Sequence, residues 1–293
     1  MANTIDDVYV QSYARNLRFL AQQSDTRLRG WCQEEHVSSE GHNFDILGAQ
    51  EATKKTTRLQ ATPVQDYPWS RRKSIPVVYQ TGDSTEQEDP TQMLQDPNSK
   101  LVKAQGMAMR RAYDDEIIAA AVGASRDGGG NAVAFDTVNQ EVGDGSAPIS
   151  FGLVTDVSER FMARDIDPDT QRVFVVSPRQ ARNMLQMTQA TSGDYVYAKA
   201  LADKGYVDNW MGYTWIVSTR LPDASVGQDG SEEYCFAMTR DAIGLQINKD
   251  IWARVAEDPS VSFAWRIYCA MQIGAVRVED EQLVRVHLST AAV

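Results

Sequence analysis

Asp114-Asp115-Glu116 is the densest run of carboxylates beside apolar sequence in this 293-residue chain. Such a group could ligate a divalent cation or share a proton as an acid/base pair. Successive side chains on a helix diverge by about 100°, however, so these three cannot converge on one ion. Asp114 is read on the polar face, within i,i+4 reach of Arg110. Asp115 falls inside an alanine-rich stripe and is expected to be a buried structural carboxylate with a hydrogen-bonding partner.

The other candidates fail on spacing. His36 and His42, with Glu35 and Glu40, match neither HExxH nor a zinc finger, and no cysteine pair accompanies them. Asp165, Asp167 and Asp169 begin like a calcium loop, but Thr170 stands where glycine is needed and Val176 where a bidentate Glu is needed. Gly128-Gly129-Gly130 follows a helix and does not open one, so it lacks the N–H groups that cradle phosphate. No GxGxxG, P-loop or GxSxG pattern occurs. The chain is therefore expected to be no enzyme and to need neither metal nor cofactor.

Arg71-Arg72-Lys73 beside Trp69 could touch nucleic acid, but the net charge of −11 opposes general binding to a polyanion. Cys32, Cys235 and Cys269 are odd in number and widely spaced, which suits a reducing compartment. The start carries Asp6 and Asp7 without a signal-like apolar run, and the run from Ile117 to Ala124 is far too short to span a bilayer. A cytosolic product with no membrane contact is expected.

The elements that position these residues centre on Asp96 to Gly123. Asp96 is a good N-cap, Pro97 suits the first helical position, and Gly123 can end the helix. This gives a rod of roughly 39 Å. Leu101, Ala104, Ala108, Ala112, Ala119 and Val122 form one stripe, and Val102, Met109, Tyr113, Ile117 and Ala120 a second. A helix with two apolar stripes must be covered from two directions, as a spine would be.

Residues 1–48 read as a polar arm, with weak helical spacing from Val8 to Gln23. Residues 51–79 carry six basic residues against two acidic ones, a net of +4 within an acidic chain. Extended character at 56–62 and 74–80 predicts a long hairpin with a broad tip, which is marginal alone and must pack on another surface. The basic residues Lys54, Lys55, Arg58, Arg71, Arg72 and Lys73, with Trp69, are candidate subunit contacts. Asp83, Glu86, Glu88 and Asp89 in the acidic connector that follows are their candidate counterparts on another copy.

Beyond the spine, a turn at 126–131 precedes a short hairpin at 133–142. Ser150 caps a helix with Val154, Val157 and Phe161 on one face, and RVFVV at 172–176 is a buried strand. Ser177-Pro178 opens another helix, 195–203 is helical, and the chain from Tyr234 onward is rich in strands. Strands and helices mix without regular βαβ alternation, which indicates an α+β fold.

This order of parts resembles the major capsid proteins of tailed bacteriophages, whose fold is the Hong Kong 97 type. RVFVVSPRQARNML (172–185), MGYTWIVST (211–219) and residues 236–280 are similar to that family's strands and turns, and TRLRGW (26–31) with DPNS before the spine resembles one subgroup. The resemblance implies an N-terminal arm (1–48), an extended loop (49–90), a peripheral domain with the spine helix (91–164), an axial domain (165–250) and C-terminal strands returning to the periphery (251–293). It implies pentamers and hexamers closing into an icosahedral head around double-stranded DNA, assembled in the host cytoplasm. Scaffolding, portal and decoration proteins are the implied partners, with only non-specific contact to packaged DNA. No helical scaffolding segment precedes the arm, so scaffolding is expected as a separate protein, and covalent crosslinking is not expected. The rivals are a bacterial nanocompartment shell of the same fold and a cytosolic enzyme with its pocket in 165–250.

Overall fold

The computed structural model describes residues 22–49, 51–62, 64, 66–85, 98–187, 208–225, 229–261 and 263–291. The expected N-terminal helix at 8–23, the caps Asp96 and Pro97, and the helix at 195–203 lie wholly or almost wholly outside these residues. The chain divides into two compact units: residues up to 25 with 79–111 and 251–271 form one, and 26–78, 112–250 and 272 onward the other.

The larger unit is built on a six-stranded sheet. Its strands are β7 (Glu141–Val142), β8 (Arg172–Val176), β9 (Asn209–Trp210), β10 (Tyr213–Val217), β11 (Glu232–Thr239) and β14 (Leu283–Ser289). Their spatial order is β7-β14-β11-β8-β10-β9. β8 lies between antiparallel β11 and parallel β10, and all five of its residues are buried. That position accounts for an unbroken β-branched and aromatic run with no polar alternation. Both edges are two residues long. At the β9 edge Asp208 accepts the N–H of Trp215 at 2.7 Å, and Arg27 donates to the carbonyl of Val217.

Two helices pack beside the same core. Ser150 accepts the N–H of Leu153 at the start of α2 (Phe151–Met162), which buries Val154, Val157 and Phe161. Ser177 accepts the N–H of Gln180 at the start of α3 (Pro178–Gln186). Phe174 stacks on Trp215 at 4.4 Å, and the core extends through Tyr213, Cys235, Val284 and Val286. The last strand pairs along its length with β11, so it belongs to the sheet made by residues 172–239 and does not stand apart from that segment.

The spine is observed as α1 (Asn98–Val122), 25 residues and about 37 Å long. Met109, Tyr113, Ile117, Ile118 and Ala121 are its buried face. The alanine stripe is the more open one: Ala104, Ala108 and Ala112 are half-buried and Ala119 is exposed. Small side chains remove little area from water, so the larger Met, Tyr and Ile side chains decide which face goes inward. This corrects the expectation for the carboxylates. Asp114 is the buried one, at 2 % exposure, and Asp115 is half-exposed.

The hairpin also differs from expectation. Its strands are β2 (His42–Leu47) and β3 (Trp69–Ser74), paired antiparallel from His42 opposite Ser74 to Leu47 opposite Trp69. Residues 57–59 make a turn and 56–62 form no strand. Phe44 and Ile46 alternate with polar residues and pack on Val276 and Val278, a period-2 anchor that 56–62 lacks. After α1, a small hairpin of β5 (Ser125–Arg126) and β6 (Ala132–Val133) encloses the glycine turn, whereas 133–142 forms no hairpin. β1 (Gln33–His36) adds in parallel to residues 244–247 of β12 (Ile243–Asp258).

In the smaller unit, β4 (Val77–Thr85) contributes residues 79–85, β12 residues 251–258, and β13 (Ala264–Arg277) residues 264–271, in the order β12-β13-β4. Trp252 meets Tyr268 edge-on at 5.3 Å, and the Tyr268 hydroxyl donates to Gln80 at 3.2 Å. Arg110 and Arg111 of α1 donate to Ser24 and Gln22 respectively.

Candidate assembly surface

Between β2 and β3 the chain makes a tip of about twenty residues. Every described residue from 51 to 70 is exposed. Apolar side chains are among them: Leu59 is 88 %, Val64 93 % and Trp69 70 % exposed, and Leu47 opposite Trp69 is 52 %. An apolar group left in water forgoes roughly 25 cal/mol for each Å² that a partner could cover. Lys54, Lys55 and Arg58 lie on this tip, exposed, and meet no carboxylate among the described residues. A tip that is both basic and apolar suits docking on a surface of opposite charge.

The other predicted basic residues are used at the base of the hairpin. Arg71 pairs with Asp45 across the strands at 2.7 Å, and Arg72 pairs with Asp280. Lys73 is half-buried opposite Asn43, its stem passing Gly41. Asp83 is exposed on β4 and accepts the N–H of Ser84 at 2.9 Å. Glu86, Glu88 and Asp89 lie outside the described residues, so no acidic counterpart to the tip is placed by them.

The carboxylates near the spine have structural roles. Both oxygens of Asp114 accept the N–H of Arg27 at 3.1 Å, and one accepts that of Leu28 at 3.2 Å. Asp115 forms a two-point pair with Arg220. Tyr113 donates to Asp250 at 2.9 Å, and burial raises its hydroxyl pKa above the ordinary value. Sequence reasoning missed Asp280, Arg277 and Asp45. Only the i,i+3 spacing of Arg277 and Asp280 could have hinted at the first two, because the helix they serve lies some 150 residues earlier.

Among the described residues, no three His, Cys, Asp or Glu side chains lie close enough to hold a metal ion. His42 pairs with Glu35, and Asp167 accepts the N–H of Asp169 in a turn before β8. A groove of about 860 Å³ is lined by Arg27, Arg182, Leu185, Asp208, Trp215 and Ile216. No helix among the described residues is long and apolar enough to cross a membrane.

A family model described as phage capsid protein matches residues 5–289. The chain belongs to the phage capsid proteins. No curated protein matches this capsid protein. Among solved structures it is similar to the capsid of the cyanophage P-SCSP1u, at 13 % identity over 99 % of this chain and 97 % of that one, with a TM-score of 0.77. It is also similar to a chain of Mycobacterium phage Che8, at 16 % identity over 95 % and 97 %, with a TM-score of 0.73. A third similarity is to the head of Helicobacter pylori bacteriophage KHP40, at 8 % identity over 99 % of both chains, with a TM-score of 0.71. The α+β fold is thus of the Hong Kong 97 type, and the protein is a major capsid protein, a structural component of the virion. A nanocompartment shell is not favoured.

Proposed function

We propose that this capsid protein forms pentamers and hexamers that close into an icosahedral head around double-stranded DNA, assembling in the host cytoplasm. The observation that carries this reading is the tip at 51–70, which holds apolar and basic side chains away from its own fold. In the assembled head it lies on a neighbouring copy, so each subunit gives and receives one such contact. Individual contacts of this kind are weak, and their repetition in a closed array makes the shell stable.

Residues 1–48 act as an arm, 49–90 as the extended loop, and 91–164 as the peripheral domain with α1. The strands of 165–250 gather at the capsomer axis together with β14, and the remainder of 251–293 returns to the periphery. Separate scaffolding and portal proteins, and decoration proteins, are its partners, and it touches packaged DNA only through non-specific electrostatics. It carries no enzymatic activity. Electron microscopy and mass spectrometry of particles recovered from infected cells test the reading: icosahedral shells built from this chain support it, and shells that lack it overturn it. Nucleic-acid content of particles recovered from infected cells tests the DNA-filled head.

A further inference from the structure

The C-terminus of α1 ends at carbonyls that carry partial negative charge and need donors. Arg277 supplies them: its Nη1 donates to Gly123 O at 2.8 Å and to Ala121 O at 3.4 Å. Arg285 Nη1 donates to Val122 O at 2.9 Å. The ring of Phe135 lies against both guanidiniums, 4.6 Å from Arg277 and 4.1 Å from Arg285. Two such charges out of water need compensation, because an unpaired buried ion is strongly unfavourable. Arg285 has Glu141 on its Nε at 2.9 Å, and Arg277, fully buried, has Asp280 on its Nε at 2.6 Å.

Asp280 has a second task. Its other oxygen accepts from Arg72, which lies in β3 opposite Phe44 at the base of the hairpin. The backbone of Arg72 also bridges to Asp127, in the turn just after α1, and the chain at Gly128 passes so close that an added Cβ would lie 2.9 Å from the Cβ of Arg71. The hairpin base is therefore tied to the end of the spine helix by a main-chain bridge and by one carboxylate shared between two arginines. Charge-assisted pairs of this kind fix direction more strongly than neutral bonds do.

We infer that Asp280 is a positioning residue that sets the angle at which the hairpin leaves the end of the spine helix. The inference rests on the proposal that the hairpin tip is an assembly surface. An extended element with few packing contacts is free to swing, and a subunit meeting many copies needs its tip presented in one direction. Asp280 supplies that restraint at the base and leaves the tip itself exposed.

The test uses the full chain as unassembled subunits, with amide hydrogen exchange as the readout. Asp280→Asn keeps the side-chain volume and removes the charge. Arg72→Gln removes only the hairpin's side of the link and leaves Arg277 paired, so it serves even where Asp280→Asn fails to fold. Both variants are expected to speed exchange at 42–47 and 69–74 by about tenfold or more while leaving 172–176 unchanged. The double variant should exchange in the hairpin like Asp280→Asn alone, because that substitution already removes the link to Arg72. Unchanged exchange in the hairpin with Arg72→Gln overturns the inference. So does an Arg72→Gln variant that speeds exchange uniformly across the sheet, or a double variant whose hairpin exchange is additive. A Lys54→Glu, Lys55→Glu, Arg58→Glu variant that assembles like the wild type overturns the assembly reading of the tip, while the exchange result still decides the role of Asp280.

Discussion

Asp114, a carboxylate 87 residues away in sequence, holds the N–H of Arg27 between its two oxygens at 3.1 Å each. Among the described residues the backbone at Arg27 and Leu28 has no strand neighbour, and Asp114 takes its donors. Asp114→Ala is expected to lower stability by about 1–3 kcal/mol by stranding the buried N–H of Leu28 and the part-buried one of Arg27. Asp115→Ala, which removes a half-exposed pair with Arg220, should change it by about 1 kcal/mol or less. Denaturant melts of the two variants decide this, and equal losses would contradict the assignment.

Charge reversal at the tip separates folding from assembly. Lys54→Glu, Lys55→Glu and Arg58→Glu together should leave the circular dichroism spectrum and melting temperature unchanged, since those residues are exposed. The same triple variant should fail to sediment as particles, and raised salt should weaken wild-type assembly in the same direction. Arg72 is the wrong residue for this experiment, because a glutamate there would face Asp280.

Thiol reactivity should depend wholly on unfolding. Cys32, Cys235 and Cys269 are all free and buried, and burial raises each thiol pKa above its ordinary value. A soluble aromatic disulfide at pH 8 should react with none of them in the native subunit and with all three in denaturant. A fast native reaction at any one would contradict the packing described.

Acid should loosen a set of exposed turns. Asp144, Asp223, Asp229 and Asp258 each accept from the serine two residues on, and this holds each carboxyl below its usual 3.8. The folded value lies below the unfolded one, so the stabilisation is complete above about pH 3.8 and lost as pH falls through the folded value. Carboxyl-carbon NMR titrations should show midpoints below 3.8 for these four. Replacing Ser146, Ser225, Ser231 and Ser260 by alanine should move them back up. Unmoved midpoints would mean that the serines do not set them.

Local chemistry was legible where it is written within a few residues. Ser150 and Ser177 start their helices because a cap needs only its own first turn, and RVFVV is buried because no solvent-facing alternation interrupts it. The pairing of β2 with β3 was not legible, since it spans about twenty residues and depends on Phe44 finding Val276 and Val278. Of the spine's two apolar stripes, Met109, Tyr113 and Ile117 are buried as expected, while the alanine stripe is more open than expected, because spacing alone does not weigh side-chain size. Arg58, read within an extended run at 56–62, lies instead in the turn at 57–59. The roles of Arg72 and Arg277 arise from a meeting of distant segments that no short window contains.

The six-stranded sheet ends in two-residue strands, with the peptide groups of Trp215 and Val217 already occupied by Asp208 and Arg27. A long bare margin would recruit any passing strand, and in a crowded cell making many copies at once that route leads to fibres. By closing its borders, this sheet keeps copies from fusing rib to rib.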